Sequence, residues 1–131
     1  MIERPSRVWR KQVDEQAAAV AARTLDPSEA YAAELWPAAF ITAVDEALAA
    51  YETEARSLAG ADDDTVWAAV ERVVTALNDA DEEHGAIETG ERESLAEYVY
   101  VVLKEAGVDV ATLAARRDLD EYAITDPWRE W

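Results

Sequence analysis

An all-α fold, a single domain over residues 1–131 arranged as an antiparallel bundle of four to five helices, is predicted by three observations. Apolar residues step by three and four along several segments, capping residues and breakers punctuate those segments, and the connections between them are short. With half of its 131 residues apolar and five Trp among them, the chain has enough to bury for an ordinary core without metal or disulfide.

A first helix is expected from Ser6, read as its cap, to about Thr24, because Trp9, Val13, Ala17, Val20 and Ala21 recur at helical spacing. Asp26-Pro27-Ser28-Glu29 reads as a second start, with Asp26 capping, Pro27 at the first helical position and Glu29 completing a capping box. Trp36-Pro37 ends that short helix, since proline disfavours the helical conformation of the residue before it. From Pro37 the seam Ile41, Val44, Leu48, Tyr51, Ala55, Leu58 predicts the clearest helix, with Asp45, Glu46, Glu52 and Glu54 off the seam and Gly60 as the stop.

Asp62, Asp63 and Asp64 precede the next helix, where carboxylates cap free amides and meet the positive end of the helix dipole. Its seam is Trp67, Val70, Val74 and Leu77; the same stepping reaches Asp81 and His84 before Gly85 closes it. Thr89 is expected to cap a further helix carrying Leu95, Tyr98, Val99, Val102, Leu103 and Ala106, with Gly107 as its stop. The β-branched run within Tyr98–Leu103 also fits a strand, but the flanking caps and the length favour a buried helix. Asp109 opens a short helix over Val110–Arg117, and Asp126-Pro127 starts an aromatic C-terminal turn, residues 126–131. Trp9, Trp36 and Trp67 are expected in the core; Trp128 and Trp131 either pack back on the bundle, the favoured reading, or anchor a partner.

The absence of Cys removes disulfides, thiolate metal sites and cysteine catalysis, and fits a reducing compartment. Gln12, Val13, Asp14 and Glu15 stand where a signal peptide needs an apolar stretch, and Ala17–Ala22 is too short to span a bilayer. A cytoplasmic protein with no membrane association is the expectation. No GxSxG elbow, P-loop, GxGxxG turn, HExxH helix or Ser-His-Asp order occurs, so neither an enzyme nor a cofactor is expected.

Net charge is −17, with 29 acidic side chains against 12 basic ones. Such a surface repels duplex DNA and anionic lipid and steers basic partners toward itself; solubility or salt tolerance is the plain alternative. The basic residues Arg4, Arg7, Arg10 and Lys11 form an N-terminal arm, residues 1–11, opposite in sign to the rest of the chain. They are expected to pair with acids of the same chain or of a second copy, which makes a homodimer one expectation.

The densest polar cluster, Asp79, Asp81, Glu82, Glu83, His84, Glu88 and Glu91, lies at the turn between two helices. With Gly85 at the sixth position, this segment resembles an EF-hand calcium loop over one loop only: Ile87 falls at the eighth position and Glu91 at the twelfth, Glu82 at the third and His84 at the fifth. Ala80 stands at the first ligand position, and imidazole is a poor partner for a hard cation. Asp81 and His84 also share the acid–imidazole spacing of a di-iron carboxylate bundle, although the seams offer no inward carboxylates from the other helices. Thr112–Arg117 followed by Asp118-Leu119-Asp120 resembles the first half of a helix-turn-helix, yet Asp120, Glu121, Asp126 and Glu130 stand where basic readers belong, so no nucleic-acid partner is expected.

The function expected from these features is a non-enzymatic acidic helical interaction protein that binds a basic protein partner, of the immunity, antitoxin or nucleic-acid-mimic type. Its candidate contact residues are Asp62, Asp63, Asp64, Glu82, Glu83, Glu88 and Glu91. The alternative is a small divalent-metal-binding bundle with a degraded EF-hand-like or carboxylate–His site at Asp79, Asp81, His84 and Glu91.

Overall fold

Six helices account for most of the chain in the computed structural model, which describes residues 2–131: α1 Pro5–Ala21, α2 Ala32–Leu35, α3 Ala38–Ala55, α4 Asp63–His84, α5 Thr89–Glu105 and α6 Val110–Ala115. Short 3-10 turns occupy Pro27–Glu29 and Glu121–Ala123, and no strand occurs among the described residues. The Tyr98–Leu103 run is therefore helical, as its flanking caps require. No helix among the described residues is long and apolar enough to cross a membrane.

The predicted α3 seam is realised in full, with Ile41, Val44, Leu48, Tyr51, Ala55 and Leu58 all buried. Helix α3 packs most extensively against α4 and is also covered by α1 and α5. Trp67, Val70, Val74 and Leu77 of α4 and Leu95, Tyr98, Val99 and Leu103 of α5 join the same core. The Tyr51 hydroxyl donates to the Val99 carbonyl at 2.8 Å, which satisfies the one polar atom this large side chain brings inside.

Caps set the helix ends. Asp62 accepts from the Thr65 amide at 2.8 Å, and Gly85 takes the left-handed conformation at φ 61° that closes α4. Three starts differ from the sequence reading. Helix α1 begins at Pro5, so Ser6 lies inside the first turn; it is fully buried and its hydroxyl donates to Asp45 Oδ1 at 2.8 Å, a tertiary use in place of a cap. Helix α5 starts at Thr89 with Glu88 as the cap residue, because the Glu91 side chain accepts the Glu88 amide at 3.0 Å.

The Asp26 start yields only the Pro27–Glu29 turn, where Asp26 Oδ1 accepts from the Ser28 amide at 2.9 Å, and α2 forms separately after it. Trp36 is extended at ψ 82° and ends α2 before Pro37, the cap residue of α3. Within the expected α1 stripe only Trp9 is buried, Val13 is half-buried, and Ala17 and Ala21 face solvent. A methyl group gains too little from burial to draw a neighbour over the second half of that helix.

Two aromatic groups complete the packing. Trp9 stacks on Trp36 and Phe40 at centroid distances of 5.8 and 5.5 Å, and the His84 ring meets Phe40 edge-on at 5.9 Å. At the other group Trp128 lies 5.9 Å from Trp67, whose face also carries the Arg117 guanidinium at 4.5 Å. Trp131 is buried, so the C-terminal aromatics pack on the chain itself. Asn78 of α4 holds this segment by donating to the Trp128 carbonyl at 2.8 Å and accepting the Glu130 amide at 3.0 Å.

Replacing Asn78 by Ala removes both bonds and strands their backbone partners. The expected cost is about 2 kcal/mol, read as a fall in melting temperature of roughly 6–10 °C; an unchanged melting curve would show that the segment is held by aromatic packing alone.

Candidate functional site

The acidic residues singled out in the sequence divide into those spent inside the chain and those left facing solvent. At the start of α4, Asp62 caps the helix, and its carboxyl is held below its usual range by the Thr65 hydroxyl and amide. Asp63 accepts from Arg116 at 2.8 Å, and Asp64 lies 4.0 Å from Arg117 with its side chain 97% exposed. Two of the three are thereby committed to local structure.

At the α4–α5 end, Asp81 Oδ1 accepts the Ile87 amide at 3.0 Å and Glu91 accepts the Glu88 amide, so both carboxylates fasten the turn. Glu82, Glu83 and Glu88 are exposed. Among the described residues Glu83 pairs with His84 Nε2 alone, at 3.8 Å, no ion pair engages Glu82, and the Glu88 side chain faces the Glu91 amide in the capping box of α5. Asp79 sits apart, beside Asn78, Trp128, Arg129 and Glu130 in the crevice under the C-terminal segment. Asp79, Asp81, His84 and Glu91 do not converge: among the described residues no group of three or more His, Asp and Glu side chains is arranged to hold a metal ion. Helix α4 continues through His84, so Ala80, Glu82 and His84, the first, third and fifth positions of the EF-hand spacing, lie on a helix and not in a loop.

Several basic residues are engaged by groups of their own chain. Arg4 spans α3, with Nε on Glu52 and Nη1 on Asp45 at 3.2 Å, and Arg10 donates to Thr42 at 3.2 Å. Burial pushes the Asp45 carboxyl up, but the Ser6 hydroxyl, the Arg4 hydrogen bonds and the charges of Arg4 and Arg7 outweigh it and hold the group below its usual range. Arg72 clasps Glu54 with two nitrogens, and Arg129 pairs with Asp126 at 3.2 Å.

One feature was missed in the sequence. Glu93, Ala96, Glu97, Tyr100 and Val101 of α5 and Tyr122 of the Glu121–Ala123 turn line an open, largely apolar groove of about 330 Å³. The Tyr100 and Tyr122 rings lie 4.9 Å apart, and the Tyr100 hydroxyl donates to Glu121 at 3.1 Å. Burial and the bond to Glu121 raise the Tyr100 phenol, and the Glu121 charge raises that of Tyr122, so both are neutral at physiological pH. The steps from Glu93 to Glu97 to Tyr100 mark one helical face, and that signal is present in the sequence; Tyr122 reaches it only through the fold.

Comparison of the chain with protein-family models, curated proteins and solved structures finds no match, so residue chemistry and geometry carry the functional reading.

Two outcomes test this assignment of the carboxylates. Asp45 contributes stability above the ordinary aspartate value of 3.8, and that contribution is lost as pH falls through its depressed folded-state value. Asp45→Asn is therefore less stable than the native chain at neutral pH, and denaturant titrations should show the gap closing below about pH 4; a gap independent of pH would assign the effect to packing. Titrating Ca²⁺ or Mn²⁺ should leave the melting temperature unchanged, whereas a metal-dependent rise would place a site at the α4–α5 turn by linkage.

Proposed function

We propose that this chain is a non-enzymatic acidic interaction protein that binds a basic protein partner. The observation that supports it is the uneven use of charge. Arg4, Arg72, Arg116, Arg117 and Arg129 all approach acids of their own chain, which leaves Glu82 and Glu88 exposed at the α4–α5 end with no cation partner among the described residues. Glu83 adds a third carboxylate there, 75% exposed.

Carboxylates held by a helix end and its adjoining turn stay in place without a partner, so binding costs little ordering of the backbone. Their like charge accelerates encounter with a basic surface and disfavours acidic competitors. Asp62, Asp63, Asp64 and Glu91 contribute to the field, although all but Asp64 already serve local structure. Antitoxins, immunity proteins and nucleic-acid mimics are the functional types that work through such surfaces, and the proposal extends to that class and to a cytoplasmic setting.

Affinity capture with the tagged protein from a lysate of its source tests this. A basic protein should be retained at about 10 mM salt, where screening acts over about 30 Å, and released at about 1 M, where it acts over about 3 Å. The variant Glu82→Gln, Glu83→Gln, Glu88→Gln should lose most of that retention. Recovery of the bait alone, or retention that ignores both salt and the three substitutions, would count against the proposal.

A further inference from the structure

We propose that the groove between α5 and the Glu121–Ala123 turn is the specificity pocket of this surface and takes an arginine side chain of the basic partner. The inference rests on the reading of the chain as a binder of basic protein, and narrows it to one pocket and one residue type.

The groove combines the two features that recognise a guanidinium. Its walls are apolar and aromatic, with Ala96 and Val101 beside the rings of Tyr100 and Tyr122; Tyr122 is 66% exposed, a large aromatic surface left open to solvent. Its rim is anionic, from Glu93 and Glu97. A planar cation stacks on tyrosine faces, and its fork of N–H donors matches carboxylate oxygens, whereas a compact ammonium satisfies only the charge.

The carboxylates are also placed at a cost. Glu93 and Glu97 stand four residues apart on α5, where like charges face each other and destabilise a helix. No hydrogen bond or ion pair among the described residues engages either side chain. An inserted cation relieves that repulsion and covers the exposed tyrosine in one step.

The chain itself shows the same recognition elsewhere. Arg117 lies over the Trp67 face at 4.5 Å from the ring centroid and reaches toward Asp64 at 4.0 Å, an arginine held between an aromatic ring and a carboxylate. Lys104 approaches the Tyr100 ring at 5.8 Å, so this ring, 9% exposed, already meets a cation of its own chain, and Tyr122 offers the face left open. The volume of the groove, about 330 Å³, falls at the small end of the roughly 300–1,000 Å³ typical of ligand pockets, which suits one side chain better than a folded ligand.

The test is an NMR titration of the labelled full chain with N-acetyl-arginine amide, and with the citrulline counterpart, which keeps the shape and lacks the charge. Saturable shifts at the Ala96 and Val101 methyl groups are expected with arginine and not with citrulline. Tyr122→Ala, at an exposed position, should weaken binding about two- to fivefold, and Glu93→Gln with Glu97→Gln should weaken it at least as much. The Glu82→Gln, Glu83→Gln, Glu88→Gln variant should bind the probe as the native chain does. Shifts spread evenly over all acidic faces, equal response to citrulline, or indifference to Tyr122→Ala would overturn the pocket while leaving a general acidic surface standing. Saturable binding at the groove in a protein that captures no basic partner would instead retain the pocket and remove the broader reading.

Discussion

Helix α3 has apolar side chains around more of its circumference than any single neighbour can cover, and the other long helices are placed by that requirement. Phe40, Ile41, Val44, Leu48, Tyr51 and Ala55 are buried, and Ala43 and Ala47 pack against them in part. Burying the Phe, Ile, Val and Leu side chains among them is worth about 1.5–3 kcal/mol each, far more than the surface ion pairs contribute. Helix α4 takes the largest share, while α1 and α5 complete the cover. Where α3 still turns polar groups outward, at Asp45 and Glu52, Arg4 and Ser6 of the α1 start meet them.

That division has an electrostatic consequence. Cations that clasp across helices each neutralise a carboxylate of their own chain, so the charges left unpaired are more uniformly negative than composition alone conveys. The carboxylates fall into three groups: caps such as Asp62, Glu88 and Asp109, cross-helix partners such as Glu54 and Asp63, and exposed acids such as Glu82, Glu93 and Glu97. Only the last group has no commitment to a cap or a cross-helix pair among the described residues. Density along the sequence does not separate the three, because a cap and an exposed acid look alike until the neighbouring amides and arginines are located.

The all-helical character, the α3 and α4 seams and the Asp62, Gly85, Gly107 and Asp109 punctuation were legible from residue spacing, since periodicity and capping are local properties. What escaped was non-local. Ser6 has the chemistry of a cap and is used across 39 positions, on Asp45. Helix α1 ends with Arg23 at φ 61°, a left-handed residue that a search for glycine passes over, with the Thr24 amide bonded back to the Ala19 carbonyl. The residues of the alternative metal reading lie near one another in sequence, but Asp81 and Glu91 are turned to backbone amides and Asp79 lies beside the C-terminal segment. The groove was half visible, since α5 declares Glu93, Glu97 and Tyr100 on one face and nothing local announces that Tyr122 joins them.

The stacked indoles of Trp9 and Trp36 carry a consequence of a different kind. Their planes are only 16° apart at 5.8 Å, and they belong to α1 and to the joint between α2 and α3. Each ring shields the other from water, leaving Trp9 5% and Trp36 8% exposed. The other three tryptophans sit in or beside the C-terminal packing, with Trp67 and Trp128 tilted at 55°. Lifting α1 away therefore wets both stacked indoles and the Phe40 ring beside them even if every helix remains wound.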